Sequence, residues 1–361
     1  MTTQTAHEPA NIGDIVTKEV ERTIARAQRG IDVLLNRDEP EVAKTPRDVI
    51  YRRGTMQLYH YHPMSDEVYR VPVVLVMSLI SKAYILDLTP GFSFVEFLLK
   101  NGYDVFMIDW GIPRPEDKKL KLEDYTMDFI PSCIEKIQEE TGEKDVSFVG
   151  YCMGGLLSIL YGGVNAGAPM ANLVTIACPV DFDGMGLFKQ WTDRRWFDVD
   201  RIVDTLGNIP PEMMYRSFEL LRPVDRLVAY VRLWDNLWND LYVKQYRLMN
   251  KWTSDQIPFP GECFRQTTKE LSWENKLVKG ELELGGRRVD PKLITCPILN
   301  AMAQHDHIAP YEATKDVTSV VGSDDKEDVL LKGGHVSLVA GPNAILRLWP
   351  KINEWLSVRS V

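Results

Sequence analysis

The sequence predicts an α/β protein: a mostly parallel sheet flanked by helices, with a mainly helical cap inserted before the last strands. Three observations carry that expectation. Short apolar runs, Val73 to Met77, Val105 to Ile108, Val146 to Val149 and Leu173 to Ile176, alternate with helix-length stretches, the pattern of strands buried on both faces. A glycine-bracketed turn, Gly150-Tyr151-Cys152-Met153-Gly154-Gly155, joins a β-branched run to the apolar, helix-prone Leu156 to Tyr161. Between about Asp181 and Leu293 the strand signal disappears and the composition becomes rich in tryptophan, before strand-like runs resume at Ile298 to Ala303 and Val329 to Leu331.

These signals divide the chain into an amino-terminal amphipathic helix region (1–45), a catalytic core (46–180 and 294–361) and an inserted cap (181–293). In the first part, Val16, Val20, Ile24, Ala27, Ile31 and Leu34 share one helical face. They predict a helix docked on the chain's own core, with a partner-subunit contact as the alternative. Val49 to Arg52 and Met56 to Tyr61 flank Gly54 and predict an antiparallel pair at a sheet edge. The insertion holds six of the nine tryptophans, and Trp234, Trp238, Tyr242 and Tyr246, four residues apart, predict one aromatic stripe on one helix, packed within the cap, with a ligand-lining role or a subunit contact as the alternatives.

Composition narrows the function. An apolar fraction of 45% over 361 residues supports a large core. A net charge of -9 argues against nucleic acid as a partner and against binding anionic membranes by charge. The five cysteines, Cys133, Cys152, Cys178, Cys263 and Cys296, form no C-x-x-C pair, so neither a disulfide framework nor a metal site is expected. Residues Met1 to Gly30 lack the apolar centre of a signal peptide, and no run is long enough to span a bilayer; a reduced, cytoplasmic protein is the expectation.

The turn at Cys152 has the form of a nucleophile elbow, G-x-nucleophile-x-G, with cysteine in the central place. A thiolate exchanges readily with thioesters, which points to acyl transfer from a thioester donor. The partners follow in the order nucleophile, acid, histidine: Asp306 after the strand-like run ending at Ala303, and His335 after Val329 to Gly334. That order is the one found on an α/β-hydrolase fold. Asp306 could instead cap a helix at Pro310. His7, His60 and His62 read as surface or packing residues, and Asp109-Trp110 as structural.

Beyond the elbow, the chain resembles the polyhydroxyalkanoate synthases. The resemblance rests on Gly150 to Gly155, Ser81-Lys82-Ala83-Tyr84-Ile85-Leu86-Asp87-Leu88, Gly102 to Trp110, Asp306-His307-Ile308, Gly333-Gly334-His335 and the ending Trp349 to Leu356. His305 and Ser337 depart from it, where many members carry a non-histidine and a glycine. The likeness, which is to the two-subunit members, implies an acyltransferase that polymerises (R)-3-hydroxyacyl coenzyme A, with short-chain 3-hydroxybutyryl as the expected monomer, into a polyester, releasing coenzyme A. It further implies a second subunit of the PhaE or PhaR type, a homodimer or hetero-oligomer, and residence at the surface of polymer granules.

The expected chemistry uses Cys152 as nucleophile, His335 as base and Asp306 to fix the imidazole. The N–H groups of Met153 and Ile80 would hold the oxyanion, and His307 would stand behind the triad. No cofactor is required, since the thioester itself carries the energy. A cysteine-nucleophile hydrolase or depolymerase, and a catalytically silent granule-associated subunit, are the rival functions.

Overall fold

The structure, a computed structural model, describes residues 12–35 and 39–361; His7 lies outside them. The chain forms two compact units: the described part of residues 1–40 with Arg222–Lys251, and Glu41–Leu221 with Trp252–Val361. The insertion expected as a single block at 181–293 is therefore divided, because residues 222–251 group with the amino-terminal helix.

The larger unit is built on an eight-stranded sheet in the order β1-β2-β4-β3-β5-β6-β9-β10. Its strands are β1 (Arg47–Arg53), β2 (Met56–Tyr61), β3 (Val73–Val76), β4 (Val105–Asp109), β5 (Val146–Tyr151), β6 (Met170–Ile176), β9 (Ile298–Ala303) and β10 (Lys326–Leu331). A short ribbon, β7 (Glu283–Leu284) with β8 (Arg287–Arg288), stands apart from it. Within the large sheet β2 alone runs against its neighbours. From β4 onward every pairing is parallel. The uninterrupted apolar runs became the central strands: β3, β5 and β9 are buried at every residue, while the edge strand β10 alternates exposed and half-buried positions. The hairpin at the other edge turns at Gly54, whose φ of 60° suits glycine.

Successive parallel strands are joined through helices, as parallel pairing requires. The helix Met153–Val164 after β5 is apolar all round and buried along its whole length, which makes it the central helix of the unit. Side chains of the carboxyl-terminal helix, Trp349–Ser357, join the same core: Trp349 stacks near Phe94 and Phe97.

In the smaller unit, helix α1 (Ile12–Leu35) lies against residues 234–240. Arg29 hydrogen-bonds the Asp240 carboxylate and the Trp238 carbonyl, Arg22 lies 4.9 Å over the Trp238 ring, and Gly30 faces Leu237. These contacts belong to a polar face. Of the apolar face expected to dock on the core, Val16, Val20 and Ile24 are each more than half exposed. Side chains of Ile31 and Leu34 lie outside those described.

The single aromatic stripe expected at 234–246 is corrected as well. One helix ends at Asp235 and another begins at Asp240, because Asn236 caps the first and the Asn239 side chain accepts from the N–H groups of Leu241 and Tyr242. Trp234 and Trp238 are exposed rather than packed within the cap. Among the described residues, no helix is long and apolar enough to cross a membrane.

Candidate active site

Cys152 sits at the junction of β5 and the central helix with φ 54° and ψ -122°, a conformation that side-chain-bearing residues seldom adopt. The surrounding glycines make the bend possible by close approach. A Cβ on Gly150 would lie 2.5 Å from the Gly155 Cα; one on Gly154 would lie 2.0 Å from the Val76 carbonyl oxygen; one on Gly155 would lie 2.8 Å from the Cys178 Cβ. The helix start is thus pressed against the end of β3 and the bend is closed on itself. As the first residue of the helix, Met153 has an N–H without an intrahelical acceptor.

Two parallel neighbours bring the other groups. β9 leads into Asp306 and β10 into His335, and their in-register pairing sets both loops at the same end of the sheet. Asp306 is buried, with one carboxylate oxygen accepting from the N–H groups of Ile308 and Ala309 at 2.8 and 2.9 Å. Its other oxygen is 2.7 Å from His335 Nδ1. Cys152 lies close enough to the same imidazole to act on its charge, and since Nδ1 is committed to Asp306, Nε2 is the nitrogen left for sulfur. Burial works against the imidazolium, but Asp306 and Cys152 outweigh it, so the His335 pKa is pushed up to about 10. The Tyr151 ring lies 5.0 Å from that of His335 and walls it on one side.

The remaining thiols are unlike Cys152. Burial pushes Cys133 and Cys296 up to about 12 and raises Cys263 and Cys178 well above the ordinary thiol range. None of these four has a hydrogen bond from an imidazole among the described residues. All five cysteines are free.

The loop after β3 carries Ile80, whose N–H has only a long, 3.5 Å contact to Ser78 Oγ. Sequence reasoning had no signal for what holds this loop. Trp110, read only as structural, donates from Nε1 to the Met77 carbonyl at 2.8 Å and is buried edge-on to Tyr125. Further on, Asp87 accepts from Thr45 and Ser93 and pairs with Arg47 at 3.5 Å. Trp252 donates to the Lys82 carbonyl at 3.0 Å, and Tyr84 to Asp255 at 2.6 Å.

His307 is exposed and makes no hydrogen bond to Asp306 or His335, so the structure does not place it behind the triad. His305 is exposed too; its backbone N–H bonds the Gly333 carbonyl at 2.8 Å and its ring takes no part in the cluster. Ser337 Oγ donates to the Gly334 carbonyl, holding the turn that delivers His335. Among the described residues, no group of His, Cys, Asp or Glu could hold a metal ion.

Comparisons with known proteins bear on both family and fold. The alpha/beta hydrolase fold family matches residues 81–342, and the family described as Poly-beta-hydroxybutyrate polymerase (PhaC) N-terminus matches residues 39–98. A relative from Haloferax mediterranei, named poly(3-hydroxyalkanoate) polymerase subunit PhaC, is 35% identical over 94% of this chain and 69% of its own. One of the same name from Allochromatium vinosum is 33% identical over 96% and 98%. Among solved structures, MenH from S. aureus superposes with a TM-score of 0.53 at 15% identity, over 86% of this chain and 100% of that one. A thermophilic esterase from Thermogutta terrifontis gives 0.51 at 16%, over 87% and 99%. These two show the α/β-hydrolase fold alone.

Proposed function

The chain belongs to the PhaC family of poly(3-hydroxyalkanoate) polymerases, and from that premise we propose that Cys152 carries the growing acyl chain as a thioester. The observation that supports this reading is the His335–Asp306 hydrogen bond beside Cys152, which sits at a strained, glycine-closed bend.

The steps follow from those groups. The Cys152 thiolate, paired with the His335 imidazolium, attacks the carbonyl carbon of an (R)-3-hydroxyacyl coenzyme A. The oxygen takes the electron pair and is met by the N–H of Met153 and that of Ile80. Collapse expels the coenzyme A thiolate, which takes a proton from His335, and leaves an acyl-Cys152 thioester close in energy to the one consumed. The hydroxyl of the next monomer or chain end then attacks that thioester. Its proton passes to neutral His335, oriented by Asp306; direct transfer to Asp306 is the other route. An ester forms, the Cys152 thiolate is restored beside the imidazolium, and no cofactor is consumed.

The substrate class follows the names of the relatives, and 3-hydroxybutyryl is the monomer we assign by the likeness to the two-subunit synthases. A second subunit of the PhaE or PhaR type, and a place at the surface of polymer granules, complete the reading. The relatives are themselves named as subunits.

The test is purified chain with (R)-3-hydroxybutyryl coenzyme A, with and without a PhaE-type or PhaR-type subunit, following thiol release and turbidity together. Both signals should vanish in Cys152→Ala. Thiol release that persists in that variant overturns the nucleophile; release without turbidity, yielding free hydroxyacid, overturns polymerisation in favour of hydrolysis.

A further inference from the structure

The loop after β3 leaves the sheet at a point where one short stretch of backbone is held by an indole and pressed by the nucleophile's helix. The β3–β4 ladder ends at Val76 and Ile108. Met77, the next residue, is buried, and its carbonyl lies past the last strand pair, where a buried acceptor must find a donor elsewhere. That donor is the Trp110 Nε1–H, at 2.8 Å. The indole itself has little freedom. It is 5% exposed, stands edge-on to the Tyr125 ring at 5.1 Å, and its own backbone carbonyl accepts from Thr55 Oγ1 at 2.9 Å. A Cβ on Gly111 would lie 2.3 Å from the Thr55 carbonyl oxygen, so the chain after Trp110 is pressed onto the β1–β2 hairpin.

The same stretch of backbone also meets the start of the central helix. A Cβ on Gly154 would lie 2.0 Å from the Val76 carbonyl oxygen and 2.8 Å from the Met77 carbonyl carbon. Residues Val76 and Met77 therefore touch the helix that begins with the Met153 N–H and lead, three residues on, to the Ile80 N–H. The far end of that loop is held as well, since the Lys82 carbonyl accepts from Trp252 Nε1 at 3.0 Å.

We propose that Trp110 is a positioning residue for the oxyanion hole: its indole N–H fixes the Met77 carbonyl, and with it the placement of the Ile80 N–H against that of Met153. This rests on the reading of Cys152 as the residue that is acylated. Sulfur adds to a carbonyl carbon, the electron pair moves to oxygen and returns as the leaving group departs, and the two N–H groups act while oxygen carries the charge. Loss of the indole bond leaves the loop in place without its anchor, and a misplacement of about 1 Å costs up to about 10²-fold in rate.

The experiment compares two reactions of the same sulfur in the full chain. Acylation by (R)-3-hydroxybutyryl coenzyme A, and by 4-nitrophenyl butyrate, passes through an oxyanion. Alkylation by iodoacetamide, in which the carbon–iodine bond breaks as the carbon–sulfur bond forms, does not. Trp110→Phe removes the donor. A second chain carries 3-benzothienylalanine at position 110 alone, which puts sulfur where the N–H stood and keeps the ring's size, so the test survives poor folding of the phenylalanine variant. Both changes should lower kcat for coenzyme A and nitrophenolate release about 10- to 100-fold with KM nearly unchanged, while the rate and pH profile of Cys152 alkylation stay those of the parent.

The proposal is overturned if the benzothienyl chain is acylated at the parental rate. It is also overturned if acylation and alkylation fall together, since Trp110 then only supports the fold, or if KM rises with kcat unchanged, which makes it a substrate contact. A parent acylated by both reagents that yields no polymer ends the polymerase reading and leaves this one standing; a parent that is alkylated but acylated by neither ends both.

Discussion

At Cys152 the backbone is held at a positive φ because the residues on either side of the bend cannot move apart: Gly150 is in contact with Gly155, and Gly154 with the Val76 carbonyl. Gly154→Ala should therefore cost about 3 kcal/mol or more, the upper range for overpacking, because the neighbour that must give way is backbone. Lowered denaturation midpoint and lost thiol release would register it together. For chemistry, the imidazolium matters most. With its pKa raised, His335 remains protonated beside the sulfur from the free-imidazole value near 6.5 up to about 10. His335→Gln should reduce thiol release by about 10³-fold and shift the pH profile of Cys152 alkylation by iodoacetamide to higher pH. An unshifted profile would remove the ion pair from the mechanism.

At the scale of elements, the loop from β3 to Ser93 is held by buried polar bonds rather than by hydrophobic packing alone. Arg47 pairs with buried Asp87 and lies 4.4 Å over the Tyr59 ring, tying β1 to that loop. Arg47→Met leaves the carboxylate without its cation and should cost about 3 kcal/mol in chemical denaturation. Between β2 and β4, His60 stacks 4.2 Å from Phe106 and bonds Asp104 at 2.7 Å. Burial opposes its charged form, but Asp104 outweighs this and raises the His60 pKa. A raised folded-state pKa stabilises fully below about 6.5 and ceases to do so as pH rises through the raised value. The Tm gap between the parent and His60→Gln should thus be widest near pH 6 and narrow by pH 9.

Over the whole molecule, burial sorts the five thiols. Cys133, Cys178 and Cys263 are completely enclosed, Cys152 nearly so but beside an imidazole, and Cys296 is partly open. Native protein should react at two cysteines at most with a disulfide reagent, Cys152 first, and at five after denaturation in guanidinium. A third native thiol reacting at a comparable rate would contradict the packing of the central helix against β6.

Much of the fold is written locally. Each central strand is an unbroken apolar run because both its faces are covered, and the elbow is legible because only glycines tolerate such close approach between β5, β3 and the helix. The order cysteine, aspartate, histidine is equally a property of the chain itself. What the chain could not display is anything set by distant neighbours. Three histidines lie within reach of Asp306 in sequence, and it is the register of β9 against β10 that turns His335 inward while His305 and His307 face outward. An Asn239 side chain broke a stripe that spacing alone joined, and α1 docks by its arginines, leaving Val16, Val20 and Ile24 exposed. Periodicity reports that a face is apolar; which surface covers it depends on contacts hundreds of residues apart, and those exist only once the chain is folded.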